Sequence, residues 1–394
     1  MKKIEELLAH EDELSYLEEN DMEEIYKLLR HCNPNITTEV DETSDLFANN
    51  PSVNIHGYIL QQSDLGHCRL VKDGIRLAHG CEELFVSAIY NKVLERKFLA
   101  SHPEREYALV FSGGGAKGAY EIGVWKALIE LGLADKITAI SGTSVGALNA
   151  LLFGQGDYEI AEKTWDNFTQ KDLTKIRHLI KVENPDNSLL EKLDDAKNPD
   201  ELVTSIVESI RKISFGLFDT SLTRVVDECM KSYDFLNDKL VYVCMSLRGW
   251  MTLKNKEKEF DPEWHRAYYV PLNVLDRSEV KDVAIASSKI PLVYPKSSIR
   301  NKSLVDGSVK DVVPARPLID AGFKKIIVVR LDYHKMRKSS MRPKCGSLLF
   351  NIYPSSSLGS IILIDQKKTR ERREMGYNDA MKFLKPLIEQ GILG

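Results

Sequence analysis

Apolar positions fall at helical spacing through most of the first hundred residues. EELLAHEDELSYLEEN, DMEEIYKLLRHC and CEELFVSAIYNKVLERKFL each set apolar side chains on one face and charged ones on another, as amphipathic helices do. Strand-like alternation is almost absent there, so residues 1–104 are expected to form a small helical module. SHPERE comes next, and Pro103 argues against a helix running through it. From Tyr107 the pattern changes. YALVFSG, KITAISG, LVYVCMSL and KKIIVVRLD are short apolar or β-branched runs with helical segments between them. Runs buried on both faces predict an α/β unit over residues 105–390, with a largely parallel sheet and helices on each side. Residues 155–235 read as a helical insertion over one end of the sheet. The tail DQKKTRERREMGYNDAMKFLKPLIEQ reads as a long charged helix, broken near Gly376.

Composition removes several classes. The 394-residue chain is long enough for two domains, and 43% hydrophobic residues with a net charge of −4 fit neither a disordered acidic chain nor a general attraction to nucleic acid. MKKIEELLAHEDEL is charged throughout, so no cleaved leader is expected, and no apolar run approaches the ~18–20 residues of a membrane span. A cytoplasmic protein is the expectation. The six cysteines are scattered without a C-x-x-C pair, and LDDAKNPDE lacks the glycine of a calcium loop, so neither metal nor cofactor is expected.

GGGAKG, directly after the first strand, fits G-x-G-x-x-G through Gly113, Gly115 and Gly118. A dinucleotide site also needs a carboxylate at the tip of the second strand. KITAISG ends in Ser141-Gly142 instead, and the P-loop pattern cannot be laid over GGGAKGAY. The second strand runs into Gly142-Thr143-Ser144-Val145-Gly146, a G-x-S-x-G between a strand and a helix rich in small residues. That context predicts a nucleophile elbow, with Ser144 at a helix N-terminus and Gly142 and Gly146 relieving its crowding. Successive parallel strands bring the two glycine motifs to one sheet edge. The backbone N–H groups of Gly113, Gly114 and Gly115 then suit a transient oxyanion, with Lys117 adding a cation or anchoring the loop. For a base, Asp306 ends a short strand before Gly307; on this fragment alone it reads more readily as a turn residue than as a base.

Taken in order, GGGAKGAYEIGV, GTSVGALNA, GLFDTS, AIASSKIPLVYP, DGSVKDVVP and GYNDA resemble the patatin-like phospholipases over Tyr107 to about Leu384. The resemblance implies a three-layer α/β/α sandwich and a serine lipid acyl hydrolase that needs no histidine or metal. It implies Ser144 as nucleophile, Asp306 as general base and the Gly113–Gly115 backbone as oxyanion hole. Gly118, Gly142, Gly146 and Gly307 support them. Two positions depart from the family pattern: Ser308, where a glycine or alanine is usual, and Asp311, where an asparagine is usual; Asp311 is expected to alter the basicity of Asp306.

Phospholipid is the expected substrate class, with nucleic acid excluded. Basic clusters from Tyr333 to Lys344 and in KKTRERR suggest peripheral contact with anionic membrane. An alternative makes the chain an inactive or partner-regulated hydrolase that acts through its N-terminal module. His334 formally permits a serine–aspartate–histidine order, but it comes after KKIIVVRLD in a basic segment with nothing around it to present an imidazole.

Overall fold

The computed structural model describes residues 4–32, 50–63, 67–169, 175–176, 218–219, 222–230, 239–247, 267–288, 297–299, 302–333, 346–361 and 364–394. The chain divides into two units, Met1–Pro103 and Glu104–Gly394.

In the first unit the helices Ile4–Ala9, Glu19–Cys32 and Glu82–Ser101 occupy the segments with helical spacing. The near-absence of strands expected there is corrected. β1 (Ser52–Ile55), β2 (Tyr58–Gln62), β3 (His67–Lys72) and β4 (Ile75–Cys81) form an antiparallel sheet in the order β1-β2-β3-β4. The β1–β2 and β3–β4 hairpins turn on His56-Gly57 and Asp73-Gly74, where φ is positive at all four residues (50°, 81°, 53° and 76°). A turn with two positive φ values twists as the flanking strands do, which is why such short strands pair at all. Leu60 and Leu70 of the sheet pack with Ile4, Leu7, Met22 and Phe85 of the helices in one core.

The second unit is built on an eight-stranded mixed sheet. Its strands are β5 (Tyr107–Phe111), β6 (Ile137–Thr143), β9 (Leu240–Leu247), β10 (Ala267–Pro271), β11 (Ser297–Ile299), β12 (Lys302–Asp306), β13 (Lys325–Val329) and β14 (Leu348–Ile352). β7 (Lys175–Ile176) and β8 (Phe218–Asp219) make a separate two-stranded pair. The main order is β11-β12-β9-β6-β5-β13-β14, with β10 also on β9. β9, β6, β5, β13 and β14 run parallel, whereas β10 and β12 lie antiparallel to β9. With helices around the sheet this is a three-layer α/β/α sandwich. The helix Val145–Gln155 is apolar on every side and buried from Val145 to Gly154, so it lies inside the core.

The C-terminal helix Gln366–Glu389 runs unbroken through Gly376, which corrects the expected break. Gly376 serves close packing instead: a Cβ there would strike the Tyr120 carbonyl, and one on Gly123 would strike that of Arg373. Most of the insertion expected at 155–235 lies outside the described residues, as do most of GLFDTS, KIPLVYP and the basic run after Tyr333. Of the second basic cluster, Arg372 is 3% exposed and Arg373 pairs with Asp166 at 3.0 Å and Glu162 at 3.5 Å. Of the cluster's basic side chains only Lys367, Lys368 and Arg370 are exposed, beside the exposed carboxylate of Glu371. Among the described residues no helix is long and apolar enough to cross a membrane.

Candidate active site

β5 and β6 end side by side, Phe111 opposite Gly142, so the glycine motif after each strand emerges at the same sheet edge. After β6 the chain turns at Ser144, with φ 55° and ψ −124°, and the helix Val145–Gln155 begins at the next residue. A positive φ strains a residue that carries a Cβ, by roughly 1–3 kcal/mol. The turn is possible because its neighbours lack one. A Cβ on Gly142 would strike the Gly146 carbonyl, and one on Gly146 would lie 2.5 Å from the carbonyl oxygen of Phe111. This strand–serine–helix turn has the geometry of a nucleophile elbow.

The glycine loop faces it. A Cβ on Gly113 would come 3.5 Å from the Ser144 Cβ and would strike Ser308 Oγ. The Gly113 N–H donates to the Val312 carbonyl at 2.9 Å, so that group is already engaged. Among the described residues no acceptor meets the N–H groups of Gly114 and Gly115. Lys117 is half-buried in the turn Gly115–Gly118 and returns its own N–H to the Gly114 carbonyl. A Cβ on Gly118 would come 2.7 Å from Val145, which fits the loop's end tightly over the helix that Ser144 begins.

Beneath the loop lies a polar network that reading the sequence did not single out. The Ser112 N–H donates to Glu121 Oε1 and Asn149 Nδ2 to Glu121 Oε2, each at 2.7 Å. Asn149 Nδ2 also reaches the Gly118 carbonyl at 3.0 Å, while its Oδ1 accepts from Trp165 Nε1 at 2.8 Å. Glu121 and Asn149 are fully buried, and burial pushes the Glu121 carboxyl well above its ordinary range. Both ends of the loop are thereby tied to the helix of Ser144. Buried Arg372 adds a third tie, donating to the carbonyls of Ala116 (2.7 Å), Leu358 (2.8 Å) and Ser360 (3.0 Å). The available signal for Glu121 was a lone carboxylate in the otherwise apolar helix AYEIGVW.

Asp306 arrives from the other side of β9. Thr143 pairs with Cys244, and Asp306 with the adjacent Met245. Its side chain is 2% exposed, and its Oδ1 accepts the Ser308 N–H at 2.7 Å. Ser144 is near enough to the same carboxylate to lower its pKa. Burial raises the Asp306 pKa to about 6, against the opposing pull of Ser308 and of Ser144. Gly307 is pressed against the Cys244 carbonyl, where a Cβ would collide. Asp311, expected to alter the basicity of Asp306, is half-buried beside the site, while burial is the largest cause of the Asp306 shift. The Asp311 carboxylate is taken up by the Tyr269 hydroxyl at 2.7 Å and the Val313 N–H at 3.1 Å. Its segment also receives Gly113 through Val312 and the Thr143 hydroxyl through the Asp311 carbonyl at 2.9 Å.

A strained serine at the end of a parallel strand, faced by a glycine loop at the same sheet edge, is the arrangement on which the comparison with known proteins bears. The chain belongs to the patatin-like phospholipase family, whose model matches residues 109–319. Membership makes it a lipid hydrolase in the broad sense. No curated protein matches it in sequence. Among solved structures it is similar to VipD from Legionella pneumophila at 12% identity, covering 86% of this chain and 71% of VipD with a TM-score of 0.35. It is also similar to full-length ExoU of Pseudomonas aeruginosa, solved with SpcU, at 15% identity and a TM-score of 0.37. That match covers 88% of this chain and 61% of ExoU. The assignment rests on the family match.

Proposed function

We propose that the chain is a serine lipid acyl hydrolase of the phospholipase A or lysophospholipase type, cleaving acyl esters of membrane lipids with a Ser144–Asp306 dyad. One observation carries this reading: β6 and β12 bring Ser144 and the buried Asp306 carboxylate together from the two edges of β9, close enough for Ser144 to lower the Asp306 pKa. A carboxylate at its ordinary pKa is a weak base for an alcohol. At about 6 it is stronger and still mostly ionised at neutral pH.

In the first step Ser144 Oγ attacks the acyl carbonyl carbon while its proton passes to Asp306. The carbonyl π electrons move onto oxygen, and the N–H groups of Gly114 and Gly115 hold that oxyanion. Collapse expels the alcohol portion of the lipid, which takes the proton from Asp306. Water then attacks the acyl-enzyme, giving its proton to Asp306; as the intermediate collapses, Ser144 Oγ takes that proton back and the fatty acid leaves. The substrate is a lipid ester and the partner surface an anionic membrane. The test is fluorophosphonate labelling of the full chain, with phospholipid vesicles as substrate, for wild type and Ser144→Ala. Labelling and fatty-acid release that both vanish in the variant support the reading. Release that survives in Ser144→Ala overturns it.

A further inference from the structure

Ser287 closes the helix Arg277–Ser287 and is fully buried. Serines at helix ends commonly bond back to their own helix, as Ser288 does to the Ala284 carbonyl at 3.1 Å. Ser287 does otherwise. Its Oγ accepts the N–H of Ser144 at 3.1 Å and donates its proton to the Cys244 carbonyl at 2.8 Å. These partners lie 143 and 43 residues away in the chain. The next residue takes the other main-chain group of Ser144, with Ser288 Oγ 3.3 Å from the Ser144 carbonyl oxygen.

The two partners of Ser287 are the two halves of the site. Ser144 is the strained residue of the elbow. Cys244 sits opposite Thr143 on β9, one residue from the partner of Asp306, and its carbonyl is the surface on which Gly307 rests. One hydroxyl therefore spans the serine segment and the strand that seats the aspartate. It also occupies the N–H of Ser144, so that group is not offered to an oxyanion.

We propose that Ser287 is a positioning residue that fixes the Ser144 hydroxyl in register with Asp306, an inference that rests on the dyad reading. Without its hydroxyl, a buried N–H and a buried carbonyl both lose their partner, and the elbow is free to relax from its positive φ. The expected consequence is a slower nucleophile in an otherwise folded protein.

The experiment compares full-length wild type, Ser287→Ala and Ser287→Cys. The cysteine variant fills the volume with a poor hydrogen-bonding group and carries the test if the alanine variant does not fold. Turnover of a short-chain nitrophenyl ester and the rate of fluorophosphonate labelling should fall about 10- to 100-fold, with the Michaelis constant within about twofold of wild type. The final extent of labelling should stay near that of wild type. A fall in labelling extent at an unchanged rate per site would make Ser287 merely structural, and unchanged turnover in a folded variant would remove its role. Wild type that takes up no label, or Ser144→Ala that labels like wild type, defeats the dyad reading first and this inference with it.

Discussion

Asp306 and Ser144 meet across strand β9, one from each of its edges. β6 delivers Ser144 just past the Thr143–Cys244 pair, and β12 delivers Asp306 opposite Met245. Main-chain hydrogen bonds of a sheet thus set their separation, and both side chains are held by rigid elements. Neither depends on a long loop for its place.

Ser144→Ala and Asp306→Asn should each lower nitrophenyl ester hydrolysis by at least about a thousandfold, as loss of a sole nucleophile or base does. Both should keep the wild-type circular dichroism spectrum. His334→Ala should keep most activity. A thousandfold loss there, with a mild defect in Asp306→Asn, would replace the dyad by a triad.

Because a base must be ionised to act, kcat/KM should climb with pH through about 6, the Asp306 value, and level off by about pH 7.5. The measurement is a rate profile from pH 4.5 to 8.5 under constant ionic strength. A flat profile across that range would exclude Asp306 as the titrating group.

The same raised pKa makes a stability prediction with a definite sign. Folding lifts the Asp306 pKa from an ordinary 3.8 to about 6, so the folded state binds the proton more tightly. Its ionisation therefore works against the fold: the stability is fully present below about pH 4 and is lost as pH rises through 6. Asp306→Asn removes the charge and should raise stability at pH 8 by up to about 3 kcal/mol, the equivalent of the two-unit shift. Thermal unfolding of both proteins at pH 4 and pH 8 checks this, and a gain that is equal at both pH values would contradict it.

Gly114→Ala brings a Cβ to 2.6 Å from Leu331 and shifts the loop. If its N–H serves the oxyanion, turnover should fall about 100- to 1,000-fold with little change in the Michaelis constant. Normal turnover with a raised Michaelis constant would make this a substrate-binding loop.

Glu121→Gln keeps the shape but turns an acceptor into a donor. Trp165 fixes the orientation of the Asn149 amide. The new amide group must therefore face either the Ser112 N–H or Asn149 Nδ2, donor against donor. A loss of roughly 1–3 kcal/mol in unfolding free energy is expected. A neutral substitution by denaturant titration would mean the network contributes little.

What the sequence made legible was local chemistry. The elbow could be read because its glycines and serine are neighbours in the chain, and the glycine loop because it stands between a strand and a helix. The sheet of the first unit escaped because its strands are short and partly polar, such as YILQQ and HCRLVK. The His-Gly and Asp-Gly pairs that turn its hairpins were the signal to use. Glu121, Asn149, Arg372 and Ser287 act through partners far along the chain, a separation that no spacing rule encodes.

The sheet order has a practical meaning for anyone cutting this protein down. β5, the apolar strand Tyr107–Phe111, is flanked by β6 on one side and β13 on the other. The family match stops at residue 319, before β13 begins at Lys325. A fragment trimmed to the matched segment would begin inside β5 and leave its far edge bare, a fully apolar strand with unpaired main-chain groups. Such an edge recruits other chains. The trimmed fragment should come out of expression as insoluble aggregate, so the shortest soluble hydrolase unit must extend through β13 and β14.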